Sequence, residues 1–98
     1  MLTSKQRSYL KRLAHNIDPL VYIGKSDLTE NVIKEIDTLL ESRELVKIKI
    51  QEGSMLEPKA TANEVADILE AEYVQAIGRK FTLYRRAKED PQIVLPRK

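Results

Sequence analysis

Between Leu28 and Ile50 the apolar residues change their spacing, and few folds accommodate that change. Leu28, Val32, Ile33, Ile36, Leu39 and Leu40 recur every three or four positions, the stripe of an amphipathic helix. From Leu45 the period drops to two: Val46, Ile48 and Ile50 fall on one face, and Lys47 and Lys49 share the other with Leu45. A helix with one apolar stripe, followed at once by a strand with one apolar face, requires the two to pack as layers. The flanking segments extend the pattern. Thr3-x-x-Gln6 has capping-box spacing and opens a first helix, with Leu10, Leu13, Ala14 and Ile17 on one face and Asp18-Pro19 ending it. Residues 20–23 are a short β-prone run closed by Gly24. Asp27 and Glu30 stand at capping-box separation before the second helix, with Thr29 as a competing cap. Thr61-x-x-Glu64 predicts a third helix that buries Ala62, Val65, Ala66 and Leu69. Residues 73–77 and 80–85 read as two strands joined at Gly78-Arg79. The order αβαβαββ predicts an α/β sandwich of two to three layers, with three helices on a roughly four-stranded mixed sheet.

Ninety-eight residues fit one domain over 1–98, with 87–98 as a charged C-terminal tail. Within that tail, Ile93-Val94-Leu95 is at best a short edge strand or an ordered extension. The absence of cysteine removes disulfides, thiolate nucleophiles and thiolate metal sites. A single histidine, His15, speaks against a multi-histidine metal centre. No apolar run approaches the roughly 20 residues of a membrane helix. The opening Met1-Leu2-Thr3-Ser4-Lys5 has no signal-peptide core. These features lead us to expect a cytoplasmic monomer with no membrane partner, no cofactor and no bound metal. Ser4, Ser8, Ser26, Ser42 and Ser54 lack a nucleophile-elbow setting, and Glu30, Glu35, Asp37 and Glu41 are spaced as a solvated helix face. No catalytic group assembles, so the chain is not expected to be an enzyme.

The formal net charge is only +2, but its distribution is uneven. Residues 1–25 carry five bases and one acid, residues 26–78 five bases and twelve acids, and residues 79–98 seven bases and two acids. Basic ends that meet in the fold would make one positive surface suited to a polyanion. The candidate contacts are Lys5, Lys11 and Arg12 on the first helix, beside His15 as a surface residue or phosphate donor. Gly24, Lys25 and Ser26 lie in a strand-to-helix loop whose free backbone N–H groups could hold a phosphate, although the GxxxxGK[ST] spacing is absent. Asp27 in that loop is a helix cap or a charge opposing an anion. Lys47 and Lys49 form a basic ridge on the solvent face of a strand, a placement that also protects sheet edges. Arg79, Lys80, Arg85 and Arg86 flank the last strand, and Tyr84, on the side of Lys80 and Arg86, could stack on an unpaired base or be a half-buried sheet tyrosine.

Four ordered blocks resemble the YhbY family. They are Ile23-Gly24-Lys25 with Leu28-Thr29; Arg43-Glu44-Leu45-Val46-Lys47-Ile48; Val74-Gln75-Ala76-Ile77-Gly78-Arg79; and Leu83-Tyr84-Arg85. Leu2-Thr3-x-Lys5-Gln6-Arg7 and Leu13-Ala14-His15 are similar too. The resemblance implies a CRM domain, a fold similar to the C-terminal domain of translation initiation factor 3. It also implies RNA binding, in bacteria to precursors of the large ribosomal subunit, with similar domains serving organellar intron splicing in plants. The family loop is GxxG, likened to the backbone clamp of KH domains; here it reads Gly24-Lys25-Ser26-Asp27, without the second glycine.

Four functional readings follow. An rRNA-binding assembly factor would lose its target steeply with salt. A protein-interaction module would dock a partner on the acidic second helix or on Ile93-Val94-Leu95, and an RNA chaperone would take other structured RNA. A small enzyme would need a constellation this chain lacks.

Overall fold

The computed structural model describes residues 2–97; Met1 and Lys98, the outer ends of the opening stretch and of the charged tail, lie outside the described residues. Seven elements follow the expected order: α1 (Ser4–Ala14), β1 (Val21–Ile23), α2 (Glu30–Arg43), β2 (Leu45–Ile50), α3 (Pro58–Leu69), β3 (Glu72–Ile77) and β4 (Lys80–Tyr84). They make an α/β fold on one four-stranded mixed sheet of order β1-β2-β4-β3. β1 and β2 run parallel, connected through α2, and β4 is antiparallel to both of its neighbours.

The two faces of the sheet are covered unequally. On one face Val46, Ile48, Ile50, Phe81 and Leu83 meet Ile36 and Leu40 of α2 and Ala62, Val65 and Ala66 of α3. Each large side chain fully buried there stabilises the fold by about 1.5–3 kcal/mol relative to exposure. The small residues of α3 let that helix lie close to β3 and β4. On the other face α1 covers one end only, packing Leu10 and Ala14 on Leu45, Val74 and Tyr84, with Ile93 and Leu95 at the margin. The β3–β4 register shifts between Tyr73 and Gln75. This bulge gives β3 one extra residue, Val74, which lies in the cluster with α1.

Local chemistry explains where the elements begin. Thr3 caps α1 through both arms of the capping box: Gln6 N–H donates to Thr3 Oγ1 and Thr3 N–H to Gln6 Oε1, each at 3.1 Å. α1 closes at Ala14, before the Asn16–Pro19 stop. Two expectations are corrected. Asp27 does not cap α2; Thr29 does, accepting from Val32 N–H at 3.1 Å, because Leu28 and Thr29 separate the loop from the helix. α3 begins at Pro58, a turn before Thr61, because the Glu57 carboxylate accepts from Lys59 N–H (2.8 Å) and Ala60 N–H (3.0 Å), and proline at the first position has no N–H to satisfy. Thr61 is buried inside that helix. Of the two readings of Ile93-Val94-Leu95 the strand is not formed and the ordered extension is: Gln92 and Ile93 N–H groups donate to the Glu44 carboxylate at the end of α2, and Ile93 and Leu95 pack on the α1 cluster.

Candidate nucleic-acid interface

The pairing register turns the half of the sheet that α1 leaves open into rows of side chains. Tyr22 of β1 stands beside Lys49 of β2, Lys49 beside Lys80 of β4, and Lys80 beside Ile77 of β3. Two positions along, Lys47, Thr82 and Gln75 form a second row. A third, Leu45, Tyr84 and Glu72, meets α1, where Leu2 N–H donates to Glu72. Strands lie about 4.8 Å apart, so the first row spans roughly 14 Å. Lys47, Lys49, Lys80, Gln75 and Thr82 line an open trough of about 820 Å³, with His15 at its α1 end. Arg79 and Glu52 line it past the end of β2, and Glu52 is its single acid among the described residues. Lys47, Lys49 and Lys80 make no ion pair or side-chain hydrogen bond among the described residues, which leaves three cations available to an incoming anion.

The Gly24-Lys25-Ser26-Asp27 turn follows β1 and packs on the loop after β2; none of its residues lines the trough. Ile23 accepts from Gln51 N–H at 2.8 Å, and Asp27 N–H closes the turn on Gly24 O at 3.0 Å. Lys25 and Ser26 are exposed, and the Lys25 stem lies over Gly53 so closely that a Cβ there would stand 2.8 Å from Lys25 Cγ. Asp27 occupies the left-handed region, φ +59°, the conformation that the second glycine of a GxxG loop supplies without steric cost. Its carboxylate is engaged, accepting from Ser54 Oγ at 2.7 Å. On α1, Lys5, Lys11 and Arg12 are all exposed. Lys11 and His15 are one turn apart and lead toward the trough, whereas Lys5 stands at the far end of the helix. Arg12 also lies over the Tyr9 ring, 5.8 Å from its centroid.

Three of the candidate residues serve the fold. Arg79 donates from Nε to Ile50 O (2.9 Å) and from Nη2 to Gln51 O (2.9 Å) and Ser54 O (3.2 Å), so it pins the loop after β2. Arg85 donates from Nη1 to Asp37 Oδ1 (2.7 Å) and Leu69 O (3.0 Å) and from Nη2 to Asp37 O (3.1 Å), tying α2 to the end of α3. Tyr84 is 5% exposed and packs beneath α1, which leaves no ring face for a base. Burial raises its phenol pKa, and the nearby Glu44 carboxylate adds to that. Arg86 is exposed but stands at the opposite end of β4 from Lys80, so the C-terminal cations do not form one cluster.

Glu44 was invisible as anything more than one acid among twelve in the middle segment. It ends α2 with φ +68°, is fully buried, and its carboxylate accepts from Ala87 N–H (2.8 Å), Gln92 N–H (2.7 Å) and Ile93 N–H (2.8 Å). Burial pushes its pKa up, but the three backbone donors outweigh burial and hold it below the usual carboxylate range. Glu41 is also lowered, by the N–H groups of Glu89 and Lys88. Tyr22 is not among the sequence candidates, yet it lies exposed on the lysine side of the sheet; the alternation Val21-Tyr22-Ile23, with two buried neighbours, carries that signal. Among the described residues no group of three or more metal-ligating side chains converges, and no helix is long and apolar enough to cross a membrane.

A model of the CRS1 / YhbY (CRM) domain matches residues 2–85 of this chain. The chain is 35% identical over 96 residues to the "Probable RNA-binding protein YqeI" of Bacillus subtilis, covering 98% of this chain and all of that protein. It is 38% identical over 97 residues to a protein of Haemophilus influenzae named RNA-binding protein, covering 99% and 97% of the two. The solution structure of SAV1595 from Staphylococcus aureus, described as a candidate RNA binder, superposes with a TM-score of 0.82 at 45% identity, covering 98% of this chain and all of that one.

Proposed function

The chain belongs to the CRS1 / YhbY (CRM) domain family, and from that premise and the geometry above we propose that it is a non-enzymatic RNA-binding protein. The observation that carries this reading is the open half of the sheet, where Lys47, Lys49 and Lys80 stand together with no side-chain partner among the described residues. The names of the relatives from B. subtilis and H. influenzae support the same ligand class. Lysine ammonium groups neutralise phosphates without reading sequence, so they supply affinity and orientation while the shape of the RNA supplies selectivity. Charge segregation strengthens the case: the acids of α2 and α3 are on the layer behind the sheet, and the cations of α1, β2 and β4 are in front.

The RNA we propose is ribosomal, in precursors of the large subunit, with the protein acting as a cytoplasmic assembly factor and as a monomer. The alternative, an RNA chaperone for other structured RNA, uses the same face. Docking of a protein partner through the tail is disfavoured, because Ile93 and Leu95 are turned into the cluster beneath α1 and only Val94 is fully exposed. Sedimentation of the tagged protein from lysate through a sucrose gradient, at low and at high salt, tests the ribosomal target. Co-migration with large-subunit particles at low salt, lost at high salt, is the expected result. A protein that stays at the top of both gradients yet retards free RNA in a gel would keep RNA binding and remove the ribosome.

A further inference from the structure

The open face carries more than charge. Its first row reads Tyr22, Lys49, Lys80, Ile77, one residue from each of the four strands. Both ends are apolar and uncovered, Tyr22 at 52% and Ile77 at 68% exposure, and the centre is cationic. Among the described residues neither Tyr22 nor Ile77 belongs to an apolar cluster of the fold, and α1 ends at Ala14. An exposed ring and an exposed aliphatic side chain, placed about 14 Å apart around two cations, suit a chain that alternates phosphates with flat faces. A duplex has no such faces to offer: its bases are stacked on one another, and its deep major groove admits no side chain.

Resting on the RNA-binding reading above, we infer that this row is a platform for an unpaired RNA strand that crosses the sheet at right angles to the β-strands. One base stacks on Tyr22, a later base rests on Ile77, and the phosphates between them lie at Lys49 and Lys80. Lys47 and Gln75 in the second row stand beside the path and offer polar groups to sugars and base edges, while Thr82 between them is buried. The stacking contact is indifferent to base identity, so the platform selects unpaired over paired RNA and only weakly among sequences.

Fluorescence anisotropy with a labelled single-stranded RNA decamer, and with the same decamer annealed to its complement, tests the platform. The intact chain is compared with Tyr22→Ala and Tyr22→Phe, and circular dichroism checks that both variants keep the fold. The wild type is expected to bind the single strand more tightly than the duplex. Tyr22→Ala is expected to lose about fivefold or more on the single strand and nothing on the duplex, and Tyr22→Phe to keep wild-type affinity for both. A wild type that prefers the duplex, a Tyr22→Ala variant that binds the single strand as wild type does, or equal losses on both RNAs would overturn the platform while leaving RNA binding in place. Failure of the wild type to bind either RNA would overturn both readings.

Discussion

The two faces of this sheet are made from the same strands and do opposite work. In β2, Val46, Ile48 and Ile50 are buried against α2 and α3, while Lys47 and Lys49 alternate with them onto a face that α1 only half covers. Changes of volume on the covered face are felt throughout its packing, whereas substitutions on the open face are expected to cost little stability. Lysines that stay unpartnered across β2 and β4 are therefore not explained by packing. The comparison is sharpest at Phe81 and Lys80, adjacent in β4 but on opposite faces. Phe81→Ala should cost about 3–5 kcal/mol of stability, read as a lowered urea midpoint, because it opens a cavity at the centre of the larger cluster. A loss below about 1 kcal/mol would mean that the covered face is not the one that holds the fold together.

The next largest effect falls at a residue that belongs to neither face. Glu44→Ala leaves three tail N–H groups without their buried acceptor and should cost about 3 kcal/mol, detaching residues 87–93 before the sheet opens. The sign of the pH dependence follows from the lowered folded-state pKa of Glu44. Its contribution is fully present above the unfolded glutamate value of about 4.3 and is lost as pH falls through the lower folded value. Protection of the Ala87, Gln92 and Ile93 amides, taken relative to the intrinsic exchange rate at each pH, should fall in acid in wild type, and Glu44→Gln should remove most of that acid sensitivity. Unaltered protection at low pH would show that the tail is held by Ile93 and Leu95 alone.

On the open face the effect should move from stability to affinity. Lys47→Glu with Lys49→Glu should weaken RNA binding at least about tenfold and flatten the slope of log affinity against log salt by roughly 0.7 for every phosphate that is no longer neutralised. The urea midpoint should stay near wild type, since both side chains are only half-buried and have no partner among the described residues. An unchanged RNA affinity with an intact circular dichroism spectrum would take the sheet face out of the interface.

How much of this was legible follows from the same contrast. Hydrophobic period is a local property, so the helix and strand of residues 28–50 and the hairpin at Gly78 could be read directly, as could the side of β2 on which Lys47 and Lys49 lie. What a charged or aromatic side chain meets is a long-range property. Arg79 and Arg85 look like Lys80 in a sequence, yet their forked guanidinium groups reach carbonyls 25 to 29 and 16 to 48 residues away, a geometry lysine cannot reproduce. Tyr84 and Tyr22 are exchanged for a similar reason: α1 returns over Tyr84 and leaves Tyr22 bare. Cap competition misplaced the start of α3, because Thr61-x-x-Glu64 has the right spacing but Glu57-Pro58 sets the helix earlier.

The smallest effect is expected at Asp27, where two opposing contributions nearly cancel. In the left-handed region at φ +59°, aspartate carries a strain that glycine would relieve, of about 1 kcal/mol. Its carboxylate accepts the Ser54 hydroxyl at 2.7 Å, and that bond contributes about 1 kcal/mol in the opposite direction. Asp27→Gly should therefore leave stability within about 0.5 kcal/mol of wild type. The change in affinity does not cancel. Removing one negative charge two residues from Lys25 should raise RNA affinity about two- to threefold at low salt if the turn touches a phosphate, and the gain should fade as salt screens the pair. Equal affinities at every salt concentration would place the turn outside the interface and leave the lysines of the sheet as the phosphate-binding groups. A gain that survives high salt would instead mean that the aspartate obstructs close approach of the RNA backbone, which is the role glycine plays by having no side chain.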